Sequence, residues 1–347
     1  MTRKSTIRDI AREAGVSDTA VSLSFQQNSR VSAATRERVL AIARRLNYFP
    51  NRSARNLRYG NSRTIGFVVI DITNPFYSRM IRSAERIAHG LGYEILFAES
   101  HWDPQKEIRI LSNMIENRVA GLLMCFCENT AESLGLIQQS RLPLIAVDTC
   151  PPHYKGAYVA NALASAGRMA GEHLLKAGCR RPVFFNASIA MRGFSSFQLL
   201  LKGFRQGLRT KGMGLPDAAI INAEWTVEGG GAGFAQLLSQ KQPFDGIFCV
   251  NDLCALGVMD AAERSGYRVG KDFALMGIDN LEIGSISRIS LTSIDQPYDR
   301  IIELATRSMI GSIENSQPCT IRKRLKPTLI VRESTRLKSS PARQSGR

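Results

Sequence analysis

Apolar residues recur every three or four positions in three short stretches near the start of the chain, at residues 6–14, 18–25 and 33–46. This spacing puts apolar side chains on one face of a helix, so it predicts three short helices. Gly15 separates the first two stretches and suits a tight turn. Short helices joined in this way are typical of a helix-turn-helix domain, which places one helix in the major groove of DNA.

Hydroxyl side chains stand directly before the predicted helices, where Thr6, Ser17 and Ser32 can cap free backbone N–H groups. In the second helix, Val21 and Phe25 point back toward the core. The outward face of that helix carries Asp18, Thr19, Ser22 and Leu23. A short, mostly polar face suits base edges and phosphates. A three-helix miniature domain with another role would show much the same pattern.

From residue 64 onward, short apolar runs alternate with helical stretches such as 76–91 and 106–117. The predicted strands are 65–71, 94–99, 121–125, 144–148, 182–186, 246–250 and 274–278. Strands that alternate with helices form parallel, doubly wound sheets, and the restart at residue 182 indicates a second sheet. Ligands of such sheets bind outside the carboxyl ends of the strands.

Polar and aromatic residues after several predicted strands are the candidates for a binding pocket. From the strand pattern they are Phe76, Tyr77, Asp148, Asn251 and Asp279. Carboxylate, amide and aromatic groups together suit a ligand with hydroxyl groups or a heterocycle. Structural roles also account for some of these positions, because Asn74-Pro75 can start a helix and Asn251-Asp252 can cap one.

A polar, arginine-rich stretch joins the two regions, and we name residues 51–63 the hinge segment. Its apolar residue is Leu57. If two copies paired across a dimer axis over DNA, Leu57 would wedge between base steps in the minor groove. Arg55 and Arg58 would then hold the flanking phosphates or the groove floor. A flexible linker with one stray apolar residue is the alternative.

The formal net charge of +16 is concentrated at the two ends of the chain. Residues 1–63 contain 13 Lys and Arg against 4 Asp and Glu, a net charge of +9. Residues 322–347 contain 9 against 1, a net charge of +8, so the residues between have a net charge of −1. A basic domain beside a neutral one suits DNA, because each cation placed on a phosphate releases counterions. Residues 338–347 are expected to form a disordered basic tail.

Composition and motifs argue against several other classes of protein. No apolar run of about 18 residues occurs, so no membrane-spanning helix is expected, and the N-terminus does not resemble a signal peptide. The seven cysteines lack disulfide or zinc spacing and indicate reduced thiols in a cytoplasmic protein. The four histidines show no metal-binding or catalytic-triad setting, so we expect no enzyme, metal or cofactor. A stand-alone solute-binding protein would share the sheets but lack the basic N-terminal domain.

Motifs spread in order along nearly the whole chain resemble those of the lac repressor (LacI/GalR) family of bacterial transcriptional regulators. They lie at residues 7–17, 30–32, 35–39, 47–57, 64–67, 73–77, 250–252, 277–280, 291–297 and 332–335. The resemblance implies an N-terminal all-α helix-turn-helix domain of the lambda-repressor-like kind and a hinge helix. A two-lobed α/β domain of the periplasmic-binding-protein-like type I fold would follow.

The same resemblance implies how these parts act. The helix-turn-helix domain would span 1–50, and an effector-binding and dimerisation domain 64–337. The chain would cross between lobes near residues 160, 292 and 322. A homodimer would bind a pseudo-palindromic operator, and a small-molecule effector (a sugar or other metabolite) would act from the cleft as inducer or corepressor. The tail lacks leucine heptads, so a dimer rather than a tetramer is expected.

The residues implied to contact DNA are Thr6, Ser17, Asp18, Thr19, Ala20, Ser22, Leu23, Arg30, Asn51, Ala54, Arg55, Leu57 and Arg58. We expect Thr19 and Ala20 near base edges and Asp18 accepting from cytosine. Leu23 stands where family members usually carry an arginine, a histidine or a similar residue. It can touch a thymine methyl group but cannot pair with guanine, so the operator preference of relatives does not transfer.

The residues implied to bind the effector are Phe76, Tyr77, Asp148, Arg192, Trp225, Asn251 and Asp279. Trp225 falls where the family commonly places an aromatic that stacks on the ligand. Leu200 stands where many relatives have an arginine that clamps the ligand, and Ala160-Asn161 replaces their Asp-Asn pair. Arg192 is a candidate replacement for the lost charge. We therefore expect a ligand that is less polar than a familiar sugar, or differently placed.

Overall fold

The computed structural model divides the chain into two compact units, Met1–Ser62 and Arg63–Arg347. We name the first the head and the second the sensor. The structure describes residues 5–25, 30–48, 62–127, 131–152, 154–188 and 194–337. Several predicted features lie outside the described residues: Asn51, Ala54, Arg55, Leu57, Arg58, Arg192 and the expected tail.

The three predicted helices of the head are α1 (Ile7–Ala14), α2 (Asp18–Ser24) and α3 (Ala33–Arg45). A capping box begins α1. The Thr6 hydroxyl accepts from the Asp9 N–H, and the Asp9 carboxylate accepts from the Thr6 N–H at 2.8 Å. Gly15 ends α1 at a φ of 64°, a left-handed conformation that glycine adopts without steric strain. Local sequence therefore sets both ends of this helix.

A small apolar core holds the helices of the head together. Its buried members are Ile10, Ala11, Ala14, Val21, Val39 and Ala43. Full burial of a side chain such as Ile10 contributes about 1.5–3 kcal/mol, so a core of this size depends on each of its larger members. Arg36 adds a polar link between helices, because its Nε donates to the Ser24 carbonyl oxygen at 3.1 Å.

Twelve strands form the two sheets of the sensor. They are β1 (Thr64–Val69), β2 (Glu94–Glu99), β3 (Gly121–Met124), β4 (Leu144–Asp148), β5 (Ala157–Asn161), β6 (Pro182–Asn186), β7 (Ile220–Asn222), β8 (Gly246–Cys249), β9 (Ala274–Ile278), β10 (Thr292–Asp295), β11 (Arg322–Leu325) and β12 (Thr328–Ile330), within the described ranges. The sheet of the first lobe has the order β11-β5-β4-β3-β1-β2, and that of the second lobe β12-β10-β9-β8-β6-β7. Described neighbours pair in parallel except β10 and β12, which are antiparallel.

Helices cover both sheets: α4 (Pro75–Gly90), α5 (Pro104–Glu116), α6 (Ala131–Ser140), α7 (Leu163–Lys176), α8 (Ser195–Arg209), α9 (Val227–Ser239), α10 (Asp252–Arg264) and α11 (Tyr298–Glu314). Helices α7 to α10 pack on the second sheet and the others on the first. The chain therefore changes lobes after β5, β10 and β11, the last two a few residues beyond the expected positions 292 and 322. Among the described helices, none combines the length and apolar character needed to cross a membrane.

The seven strands predicted from apolar runs all form, four with the predicted ends and three with ends shifted by one or two residues. The sequence did not predict β5, β7, β10, β11 or β12. Strands β7 and β12 have three residues each, and β11 carries Arg322, Lys323 and Arg324 in exposed positions. It lies at the edge of its sheet, where water reaches its side chains, so no apolar run is needed there.

Helices α7 and α8 approach each other closely because glycines face the partner helix. A Cβ added at Gly167 would collide with the Leu200 carbonyl oxygen, and one added at Gly203 would collide with the Ala164 carbonyl oxygen. Only glycine permits a backbone approach of this kind. This contact fixes the first turns of α8, and with them Leu200.

Candidate functional site

Helix α2 turns a short polar face toward solvent. Thr19 is exposed, whereas Val21 and Ser24 are buried on the opposite face. The remaining candidates on this helix are half-buried, namely Asp18, Ala20, Ser22 and Leu23. Arg30, in the turn before α3, is exposed. The helix-turn-helix therefore presents the predicted side chains at its surface.

Two of the candidate DNA-contacting hydroxyls also cap helices. Ser17 Oγ accepts from the Ala20 N–H at 3.2 Å, and the Thr6 hydroxyl donates to the Asp9 carboxylate at 2.7 Å. Asp18 lies 3.8 Å from the guanidinium of Arg8, and water reaches both side chains. An exposed ion pair contributes at most about 1 kcal/mol, so it can separate readily when DNA binds.

A cleft of about 780 Å³, including its open mouth, lies between the two lobes of the sensor. The carboxyl ends of strands from both sheets border it, as expected for doubly wound sheets. The predicted effector residues that the structure describes all line this cleft: Phe76, Tyr77, Asp148, Trp225, Asn251 and Asp279. Residues from distant parts of the sequence therefore meet at one site.

Asp148 is a buried carboxyl at the end of β4. Asn161 Nδ2 donates to Asp148 Oδ1 at 2.7 Å, and the Tyr77 hydroxyl also hydrogen bonds to this carboxyl. Burial raises the pKa of Asp148 to about 6, and these two hydrogen bonds oppose part of the increase. Asn161, the second residue of the Ala160-Asn161 pair, therefore orients a cleft carboxyl.

Asp279 occupies the matching position at the end of β9 in the second lobe. Gln296 Nε2 donates to Asp279 Oδ1 at 2.6 Å, and the Asn74 side chain also hydrogen bonds to it. Burial, followed by the charge of Asp252, raises the pKa of Asp279 well above its usual range. Asp279 has a φ of 113° and Asp148 a φ of 67°. Left-handed backbone at non-glycine residues is strained, and it recurs at ligand sites.

Asn251 combines the two roles that its sequence position suggested. Its Oδ1 accepts from the Cys254 N–H at 2.8 Å and so caps α10, while its Nδ2 donates to the Trp225 carbonyl oxygen at 2.7 Å. Asn74 similarly caps α4, where it accepts from the Phe76 N–H at 3.0 Å. Helix capping and cleft lining are therefore compatible at both positions.

An aromatic wall, formed by Trp102, Phe197 and Trp225, spans both lobes. The ring centroid of Trp102, from the first lobe, lies 5.3 Å from that of Trp225 and 5.8 Å from that of Phe197. Phe197 and Trp225, from the second lobe, stack with centroids 6.1 Å apart. Aromatic contacts of this geometry are favourable, so the wall links the lobes directly.

Several residues that line the cleft were not predicted from the sequence: Asp71, Trp102, Phe126, Phe197 and Gln296. Asp71 and Phe126 follow β1 and β3, so the rule of strand ends would have found them. Gln296 follows β10, which was not predicted. Trp102 has a φ of 57° in a turn beyond β2, and no sequence pattern indicated that it would turn toward the cleft.

Leu200 lies in the cleft, where the resemblance placed an arginine in relatives. Among the lining residues that the structure describes, there is no lysine, arginine or histidine. Arg192, the candidate replacement, lies outside the described residues. The charged residues of the described lining are therefore all acidic, beside aromatic, aliphatic and uncharged polar side chains.

Asp71, Glu99 and His101 bring possible metal-ligand atoms within 4.8 Å of one another beside the cleft. Both carboxylates have other partners. Asp71 Oδ1 accepts from the Thr73 N–H at 2.8 Å, and Glu99 Oε1 accepts from the Ile72 N–H at 2.8 Å. These hydrogen bonds hold the turn after β1, so Asp71 and Glu99 have a structural role there without a metal ion.

Comparison with known proteins matches both units. Residues 6–51 match the model of bacterial regulatory proteins of the lacI family, and residues 172–335 match a periplasmic binding protein-like domain. The ribose operon repressor of Escherichia coli (strain K12) is 31% identical over 94% of this chain and 98% of its own length. The repressor PurR of Pectobacterium atrosepticum is 30% identical over 95% of this chain and 96% of its own.

The chain belongs to the LacI family. Its fold also resembles the lac repressor dimer bound to operator, with a TM-score of 0.81, 25% identity, and coverage of 96% of this chain and 99% of that chain. The LacI-family chain is a DNA-binding transcriptional regulator, and its relatives are repressors rather than enzymes. The family, fold class and functional class predicted from sequence are thereby confirmed.

Proposed function

We propose that this LacI-family protein is a repressor that binds a pseudo-palindromic operator as a homodimer, under the control of a small molecule in the cleft. The cleft is the observation that carries this proposal. Asp148 comes from one lobe and Asp279 from the other, and both are buried. A ligand that bonds to both stabilises the closed state more than the open one, and such differential binding is what control requires.

The relatives support the repressor role and the dimer. Two of them are named as repressors, and the lac repressor structure is a dimer on its operator. A two-fold dimer places two recognition helices about one turn of DNA apart, which calls for a palindromic site. Because the target is bacterial DNA, we place the protein in the cytoplasm.

Helix α2 would enter the major groove. Thr19 and Ala20 would approach base edges, and Asp18, once released from Arg8, would accept from cytosine. Leu23 would contact a thymine methyl group. Exposure of Thr19 and the weakness of the Asp18–Arg8 pair support this arrangement.

The hinge segment would provide the second DNA element. Leu57 would wedge into the minor groove, with Arg55 and Arg58 beside it. Asn51 and Ala54, earlier in the segment, are further candidate contacts. Closure of the cleft would alter how readily two hinge segments pair. Whether the ligand acts as an inducer or as a corepressor then depends on which of the two states it prefers.

A stand-alone solute-binding protein is the alternative. It would use the same cleft, but the basic head would have no role in it. Selection from a random DNA pool by the full-length protein separates the two functions. The repressor predicts an enriched palindrome whose affinity falls steeply as salt rises. Failure to enrich any sequence, with and without a metabolite extract, would favour the alternative.

A further inference from the structure

This inference rests on the proposed function, in which a small molecule occupies the cleft, and concerns the charge of that molecule. Asp71, Asp148 and Asp279 line the cleft, and each is at most 8% exposed. The described lining contains no basic side chain. Asp252, behind Asp279, adds negative charge that Arg332 partly offsets.

Two described arginines, Arg332 and Arg79, contact Asn280, the neighbour of Asp279, and have partners outside this lining. Arg332 donates to the Leu291 carbonyl oxygen at 2.6 Å and to Asn280 Oδ1 at 2.7 Å. The Arg79 guanidinium lies over the Tyr298 ring, 4.3 Å from its centroid. Neither arginine lines the cleft. The carboxyl groups are therefore not paired with a cation from the described lining.

Gln296 gives a second, independent indication of what the ligand must supply. The side chain is 6% exposed, and its Nε2 is directed to Asp279. Its Oε1 is buried and has no hydrogen-bond partner within the described part of the chain. A buried acceptor without a partner is unfavourable. Together with the carboxylates, it calls for a ligand that donates hydrogen bonds.

The aromatic wall favours the same kind of ligand. The faces of aromatic rings carry partial negative charge and attract cations, and tryptophan does so most strongly. Leu200 extends the apolar surface of the cleft. An arginine at this position would repel a cation. A flat or apolar body can therefore pack here while its charged end reaches the carboxylates.

We propose that the cleft binds an organic cation, an amine, amidine or guanidine carried on a flat or apolar body. Its N–H groups donate to Asp148, Asp279 and Gln296 Oε1, and its body packs on the aromatic wall. A neutral polyol supplies donors but no positive charge to stabilise the ionised forms of Asp148 and Asp279, which burial disfavours. An anion would disfavour those ionised forms further.

Three planar probes of nearly equal size test the charge directly: benzamidine is a cation, benzamide is neutral and benzoate is an anion. Titration calorimetry of the full-length protein gives their affinities. Both tryptophans of the chain, Trp102 and Trp225, lie in the wall, so intrinsic fluorescence locates binding in the cleft. We expect benzamidine to bind at least about tenfold more tightly than benzamide, with benzoate weakest.

Two variants complete the test. The double substitution Asp148→Asn with Asp279→Asn should remove the preference for benzamidine. Glu282→Gln removes one exposed negative charge of the second lobe, close to Asp279 in sequence but outside the lining, and should leave the preference intact. Equal or tighter binding of benzamide or benzoate, or no benzamidine binding at millimolar concentration, would overturn the proposal. Operator binding by the same samples tests the repressor function separately. The proposal of a cationic ligand can therefore be overturned while the repressor function is supported.

Discussion

The head and the cleft present their candidate functional side chains in opposite ways. In the head, Asp18 and Thr19 lie on one short helix and remain in contact with water. In the cleft, Asp148 and Asp279 come from different lobes and are buried. Charge in water has little effect on folding, whereas buried charge opposes it. The head can therefore change its specificity at little cost in stability, and the cleft cannot change its charge without affecting the fold.

The largest expected effect comes from the core of the head. Ile10→Ala removes one of its few large side chains, and such a change destabilises by about 2–5 kcal/mol. We expect loss of operator binding while the sensor stays folded. The tryptophans both lie in the sensor, so thermal melting followed by their fluorescence should be unchanged.

Ile7→Ala is the matched control for this variant, because Ile7 is only half-buried. It should weaken operator binding much less. If Ile10→Ala lowered the melting temperature measured by tryptophan fluorescence as well as operator binding, the two units would fold together. That outcome would contradict their division into head and sensor.

Asp148→Asn should stabilise the ligand-free sensor at pH 7. Burial raises the pKa of Asp148 from 3.8 to about 6, so the folded state disfavours the ionised form. The stability that the protonated carboxyl contributes is full below pH 4 and is lost as pH rises through about 6. The variant should gain about 3 kcal/mol at pH 7 and almost nothing at pH 4. Urea unfolding at both pH values measures this.

Asp18→Asn sharpens the contrast, because the same chemical change is made on an exposed carboxyl of the head. Its stability should change by less than about 0.5 kcal/mol at either pH. A gain at pH 7 for Asp18→Asn that matches that of Asp148→Asn would remove burial as the explanation. Operator selection by Asp18→Asn should nevertheless lose its preference at the cytosine position.

Leu57→Ala tests the hinge segment. If the side chain is buried between base steps, its loss should weaken operator binding by about 1.5–3 kcal/mol. Binding to non-specific DNA should change little, because the phosphate contacts remain. Unchanged operator affinity and an unchanged salt slope in a filter-binding titration would rule out the wedge.

Thr19→Ala should have the smallest effect on affinity. Loss of one base contact in the major groove costs about 1 kcal/mol, and the salt slope should stay the same because no phosphate contact is removed. Comparison of operator and non-specific DNA at two salt concentrations measures both quantities. An equal loss on both kinds of DNA would place Thr19 on the backbone instead.

Local patterns were sufficient wherever neighbours in sequence decide the structure. The capping box of Thr6 and the turn at Gly15 could be predicted for the head, because caps and turns depend on residues a few positions apart. The apolar strands followed from their composition. Asp148 and Asp279 could be placed at a binding edge because the carboxyl ends of parallel strands meet there.

The tertiary structure decided what these residues meet. The contact of Trp102 with Trp225 joins two lobes, and the place of Leu200 depends on the close approach of α7 and α8. The pairing of Gln296 with Asp279 required β10, whose short run gave no clear pattern. The sequence by itself determined the helix-turn-helix, most strands and the family. Which carboxyls share one buried cleft depended on long-range packing, because burial and pairing arise only when distant segments meet.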